Sequence, residues 1–127
     1  MYRVKNKPFL SDTILFERGG KRLKIRTACS VDTIIASLDR ERAAFAAANN
    51  ALSANFCAET VRGYTDAACR LMALILGREN VDALVKFYGD NIIELMRDIT
   101  PYITDRVVPK IRGAARDEVS RAKKERT

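Results

Sequence analysis

Asp12-Thr13-Ile14-Leu15-Phe16-Glu17-Arg18-Gly19-Gly20-Lys21-Arg22-Leu23-Lys24-Ile25-Arg26, with Ser30-Val31-Asp32 shortly beyond it, is the stretch on which the fold turns. Asp12 to Glu17 and Lys21 to Arg26 are two short runs on either side of Arg18-Gly19-Gly20, and the second alternates apolar with basic residues. Paired glycines supply the positive φ of a tight two-residue turn, so the stretch predicts a β-hairpin. The alternation puts Leu23 and Ile25 toward the body and Arg22, Lys24 and Arg26 in a basic outer row. A two-stranded hairpin alone is marginal in water, so this one must pack on helices or extend a partner's sheet. Gly19-Gly20 has neither the spacing of a phosphate loop nor a helix behind it.

From Ser30 onward the chain reads as helix. Ser30 is a good N-cap and Asp32 a favourable first-turn acid. Val31, Leu38, Phe45 and Leu52 recur every seven residues, with Ile34 and Ile35 on the same face, which predicts one long amphipathic helix. Its alanine-rich part, Ala43 to Ala51, favours close packing against a neighbour. A second helix is expected from Ala58 to Leu76, stopped by Gly77. Asn80 is expected to cap a short third helix, Val81 to Phe87, and Asp90 or Asn91 a fourth that holds Ile92, Leu95, Met96 and Ile99. Pro101 predicts a kink or break near Ile99 or Thr100, because it lacks a backbone donor and clashes with the preceding turn. Tyr102, Ile103, Val107, Val108 and Ile111 continue the apolar pattern, interrupted again by Pro109. The expected fold is mainly α: a small N-terminal β-hairpin packed on a bundle of four to five helices. The single domain covers 12–112, between a flexible basic arm over 1–11 and a flexible basic tail over 113–127, frayed or disordered.

A chain of 127 residues has room for one core, and an apolar content of 47% is enough to build it. There is no histidine, which removes imidazole bases, His-ligated metals and Ser–His or Cys–His pairs. Cys29, Cys57 and Cys69 form no C-x-x-C pair, so they are expected to be free thiols acting as small hydrophobes in a reducing compartment. Asp82, Asp90, Glu94 and Asp98 are the densest acids, and the last three fall at i, i+4, i+8 along one helix, a spacing open to a divalent cation or to plain solvation. No apolar run is long enough to span a bilayer and none comes after the basic N-terminus, so a cytoplasmic protein is expected. The net charge of +7 is segmented: the first 26 residues hold eight basic and two acidic side chains, residues 27–109 hold eight and eleven, and the last 18 hold seven and three. Basic ends of this kind suit acidic surfaces, nucleic acid among them, although no sequence-reading motif accompanies them.

The order of these parts resembles the tail assembly chaperones of long-tailed bacteriophages and prophages. The likeness spans roughly residues 12 to 112 and lies in the hairpin from Phe16 to Ile25, the Ser-capped helix, and the run Leu74-Ile75-Leu76-Gly77-Arg78-Glu79-Asn80-Val81-Asp82-Ala83-Leu84-Val85-Lys86-Phe87-Tyr88-Gly89-Asp90 through Pro101-Tyr102. The resemblance implies a viral protein working in the host cytoplasm. It would be a non-enzymatic chaperone without cofactor or metal that binds the tape-measure protein, the tail tube protein or both during tail assembly, as a homo-oligomer.

On that reading the candidate partner-binding faces are Val31, Ile35, Leu38 and Phe45, with Leu95, Met96 and Ile99 as a second patch, all of which suit a core equally well. Arg22, Lys24, Arg26, Lys110, Arg112, Arg116, Lys123 and Lys124 are the candidate basic contacts. The alternatives are a non-sequence-specific nucleic-acid-binding accessory protein using those basic ends, and a structural virion subunit such as a connector or tube-associated protein. Phosphate binding falls steeply with salt and an apolar helix groove does not, which separates them.

Overall fold

The computed structural model describes residues 9–114 and 116, and these form one hairpin and five helices around a single apolar core. Strands β1 (Phe9–Arg18) and β2 (Lys21–Ser30) pair antiparallel across Gly19 and Gly20, whose φ of 58° and 78° are those of the two-residue hairpin turn the glycines predict. Each strand is longer than the alternating run alone indicated. Phe9 pairs with Ser30 and Leu10 with Cys29, so residues 9–11 belong to β1 and not to an arm. The remainder of the expected arm, and the expected tail beyond 116, lie outside the described residues.

Leu10, Phe16 and Ile25 point inward and are buried, while Arg22, Lys24 and Arg26 are exposed on the outer face. Helix α1 (Val31–Ile35) comes at once after β2, then α2 (Leu38–Ala54), α3 (Ala58–Leu76), α4 (Arg78–Phe87) and α5 (Ile92–Tyr102). The single long helix expected from Ser30 is thus two. The chain bends at Ala36-Ser37, where the Ser37 amide donates to the Ile34 carbonyl at 3.0 Å and closes a tight turn. Ser37 stands at a second helix start, with Asp39 and Glu41 in the turn behind it. The bend lets Val31 and Ile34 enter the core while α2 lies along α3.

Pro101 does not end its helix. The chain stays helical through a π-helical stretch, Ile103–Val107, and on to residue 114. The Val108 amide reaches back five residues to the Ile103 carbonyl, so one wide turn sits between the two prolines. The hydroxyl of Thr100 donates to the Met96 carbonyl and that of Thr104 to the Thr100 carbonyl, the latter at 2.6 Å. Ile103, Val107, Val108, Ile111 and Ala114 are all buried, so this last segment belongs to the core as far as residue 114.

The hairpin is fastened to the helices at both ends of β1. Near the turn, Arg18 makes two hydrogen bonds to Glu94, at 3.1 and 3.2 Å, and lies 5.5 Å from the centre of the Tyr88 ring. At the other end Asp12 accepts from Arg106 through both carboxylate oxygens and from the Tyr102 hydroxyl at 2.8 Å. Thr27, the fully buried cross-strand partner of Asp12, accepts its amide at 3.0 Å. The hydrogen bonds from Arg106 hold the Asp12 carboxyl below its ordinary pKa against an opposing effect of burial. Burial foremost pushes the Tyr102 hydroxyl up to about 12.

Removing this acceptor takes a partner from the half-buried Tyr102 hydroxyl, while the exposed Arg106 turns to water, so Asp12→Ala is expected to lose about 1 kcal/mol in urea unfolding at neutral pH. Because folding lowers the pKa of Asp12, its contribution is complete above the ordinary value of 3.8 and fades as pH falls through the depressed one. The stability gap between wild type and Asp12→Asn should therefore close on acidification, which urea titrations at a series of pH values will read.

Candidate functional site

The shortest link between successive helices of the bundle lies between α3 and α4. Gly77 alone separates them, with φ 85° and ψ 151°, a conformation open essentially to glycine only. The Asn80 side chain secures the corner by donating to the Leu76 carbonyl at 2.8 Å and to the Arg26 carbonyl of β2 at 3.1 Å. Asn80 is therefore a tie inside α4, which begins at Arg78, and not the expected cap. A side chain placed two residues within the helix is better aimed at a neighbouring strand than at its own first amides.

Both helices turn their large apolar residues inward. Ala68, Leu71, Met72 and Ile75 of α3 and Leu84 of α4 are at most 3% exposed. Smaller apolar residues flank these, and where the two helices meet they leave a groove of about 690 Å³. Cys69, Ala73, Val81 and Val85 form its floor, with Arg70, Arg78, Asp82, Lys86 and Asp90 around the rim. An apolar trough with charges of both signs at its edges is suited to the apolar stripe of a partner helix. The sequence did carry a signal for it: Arg78, Asp82 and Lys86 at i, i+4, i+8 mark one rim, and Ala73 stands where a larger residue would fill the trough.

The residues expected to form partner-binding faces lie elsewhere. Val31, Leu38, Leu95, Met96 and Ile99 are at most 3% exposed and form the core that joins the hairpin to the helices. As contact surface they are corrected to core: a chain this short needs these apolar stripes for itself. Ile35 and Phe45 are half-buried. Phe45 stacks at a tilt on Tyr64, 5.2 Å between ring centres, and with Met96 it lines a second, smaller apolar pocket of about 210 Å³ beside Leu71 and Ile103. Arg112 and Arg116 are exposed and Lys110 half-buried on the last helical segment. Lys123 and Lys124 lie outside the described residues.

The three acids at four-residue spacing do not share a helix. Asp90 is in the turn before α5 with φ 66°, and Asn91 is the cap, its side-chain oxygen accepting from the Glu94 amide at 3.2 Å. Glu94 is engaged by Arg18, and Asp98 accepts from the Tyr88 hydroxyl at 2.7 Å. Among the described residues no cluster of three or more Cys, Asp or Glu is placed to hold a metal ion. The thiols of Cys29 and Cys69 are pushed up by burial, whereas hydrogen bonding to Thr60 at the start of α3 lowers that of Cys57.

No family model, curated protein or solved structure matches this chain. No helix among the described residues is long and apolar enough to cross a membrane.

The Gly77 corner sets the angle of the groove. No atom lies within 4 Å of a Cβ added there, so the cost of Gly77→Ala is one of backbone conformation. It is expected to lower stability by about 2 kcal/mol, read as a fall in the thermal midpoint by circular dichroism.

Proposed function

We propose that this chain is a non-enzymatic assembly chaperone that binds helical segments of a partner, acting on the tape-measure protein, the tail tube protein or both, as its resemblance to phage tail assembly chaperones implies. The observation that supports this reading is the groove between α3 and α4, large enough for apolar side chains of a helix and edged with both charges. A long helix-rich client left bare exposes an apolar stripe and aggregates, and covering such a stripe requires a shallow trough of this kind and no reactive group.

A second reading is favoured by one observation. Arg22, Lys24 and Arg26 form an exposed row on the outer face of β2, and of the three only Arg22 makes an ion pair among the described residues, with Glu17 at 3.3 Å. That row suits nucleic acid bound through its backbone.

Co-purification of the tagged protein with the tail proteins encoded beside it, washed at low and high salt with and without nuclease, separates the two. The chaperone reading expects a helical tail protein that survives both treatments. It expects the complex to be lost with Val85→Asp and kept when Arg22, Lys24 and Arg26 are all changed to Gln. Recovery of nucleic acid alone, released as salt rises, would establish the second reading instead.

A further inference from the structure

The outer face of α3, turned away from the core, carries Glu59, Arg62, Asp66 and Arg70, all exposed. Their spacings are those at which ion pairs form along a helix, yet among the described residues none of the four makes one. The signs alternate along the row. Taken in the opposite direction the row is its own complement, so a second α3 laid antiparallel on the first meets an opposite charge at each place. Arg62 then faces Asp66 of the other copy and Asp66 its Arg62, while Glu59 and Arg70 pair likewise. This is the self-complementarity that a two-fold interface requires. The face carries no net charge, so two copies of a +7 chain meet there without repulsion across the contact. Gly63 lies beside the centre of the row with no atom within 4 Å of a Cβ built on it, which leaves room for a second helix to come close.

An independent feature fits the same arrangement. From Ala43 to Ala58 the chain has no charged residue, and at the end of that stretch Phe56 is 74% exposed at the tip joining α2 to α3. In the antiparallel register Phe56, two residues before α3 begins, falls at the level along the axis of the other copy's Ala73, on the floor of the groove. An exposed aromatic residue thus meets an apolar trough, twice by symmetry.

We propose that the protein pairs with a second copy of itself through the outer face of α3, each copy seating its Phe56 in the α3–α4 groove of the other. Joined to the proposed chaperone role, on which this part alone rests, the pairing covers the groove until a client helix displaces Phe56. The contact is short, about 17 Å of helix between Glu59 and Arg70 at 1.5 Å per residue, so the dimer is weak and exchanges readily.

Sedimentation equilibrium of the purified full chain alone tests the pairing whether or not a client exists. A reversible dimer that weakens with salt is expected. Arg62→Asp should weaken it about tenfold by setting like charges opposite each other, and Arg62→Asp with Asp66→Arg should restore it, because the pairs re-form with signs exchanged. Phe56→Ser should weaken it about thirtyfold. All three positions are exposed, and unchanged circular dichroism will show that the variants fold. A monomer at all concentrations up to about 0.5 mM, far above what a specific interface needs, overturns the proposal. So does a dimer that is indifferent to Arg62→Asp or is not restored by the exchange. Failure of the client co-purification with an intact dimer removes the chaperone role and leaves the pairing standing.

Discussion

The carboxylate of Asp12 joins the beginning of the described chain to its end. A two-stranded ribbon has half its backbone groups unpaired along its edges and buries one face at most, so it holds its place only if something outside it does the holding. Apolar contact through Leu10, Phe16 and Ile25 supplies adhesion but is non-directional. Direction comes from the fork of Arg106 on both oxygens of Asp12, with the Tyr102 hydroxyl on one of them, across 90 residues or more of sequence. Arg18 and Glu94 repeat the arrangement near the turn. Two such fixtures, one at each end of β1, stop the ribbon from pivoting, and the tie from Asn80 to the Arg26 carbonyl then sets the position of α4.

Much of this architecture can be read from the residues. Gly19-Gly20 forces the hairpin turn because few other pairs adopt positive φ twice in succession, and Gly77 ends α3 for a related reason. The alternation in β2 separates the buried Ile25 from the exposed Arg22, Lys24 and Arg26. Where reading along the sequence fails, a local rule has met a tertiary demand. The seven-residue period through Val31, Leu38, Phe45 and Leu52 runs unbroken across Ala36-Ser37, so periodicity alone cannot show the bend there. Pro101 and Pro109 are helix breakers by local chemistry, yet buried Ile103, Val107 and Val108 keep the segment helical in a wider form. The fixture at Asp12 was signalled by an acid in the inward row between Leu10 and Ile14, though its partner, Arg106, lies too far away in sequence to be named from it.

The candidate site was less legible than the fold, for a physical reason. An amphipathic stripe shows which residues avoid water, and in a short chain most such residues are used internally, as Leu38, Leu95 and Met96 are. Surface available to another protein is made by what the core leaves over. Here that is Ala73 and Val85 between two helices, Phe56 at a tip, and the charges of Glu59, Arg62, Asp66 and Arg70, which form no ion pair among the described residues. Such features become visible only once the corner at Gly77 has set the two helices side by side.

The wide turn at Ile103–Val107 has an effect on aim. Adding one residue to a helical turn rotates everything beyond it by about 100° relative to an unbroken α-helix. Tyr102 and Arg106 face the hairpin while Val108 and Ile111 still reach the core, and Arg112 and Arg116 are left exposed. The direction in which Arg112 and Arg116 are presented is thus set by a single residue of helical phase. Two homologous chains that differ here by one inserted or deleted residue would share a core yet present that charge to different neighbours, so partner choice can diverge without any change in the residues that touch a partner.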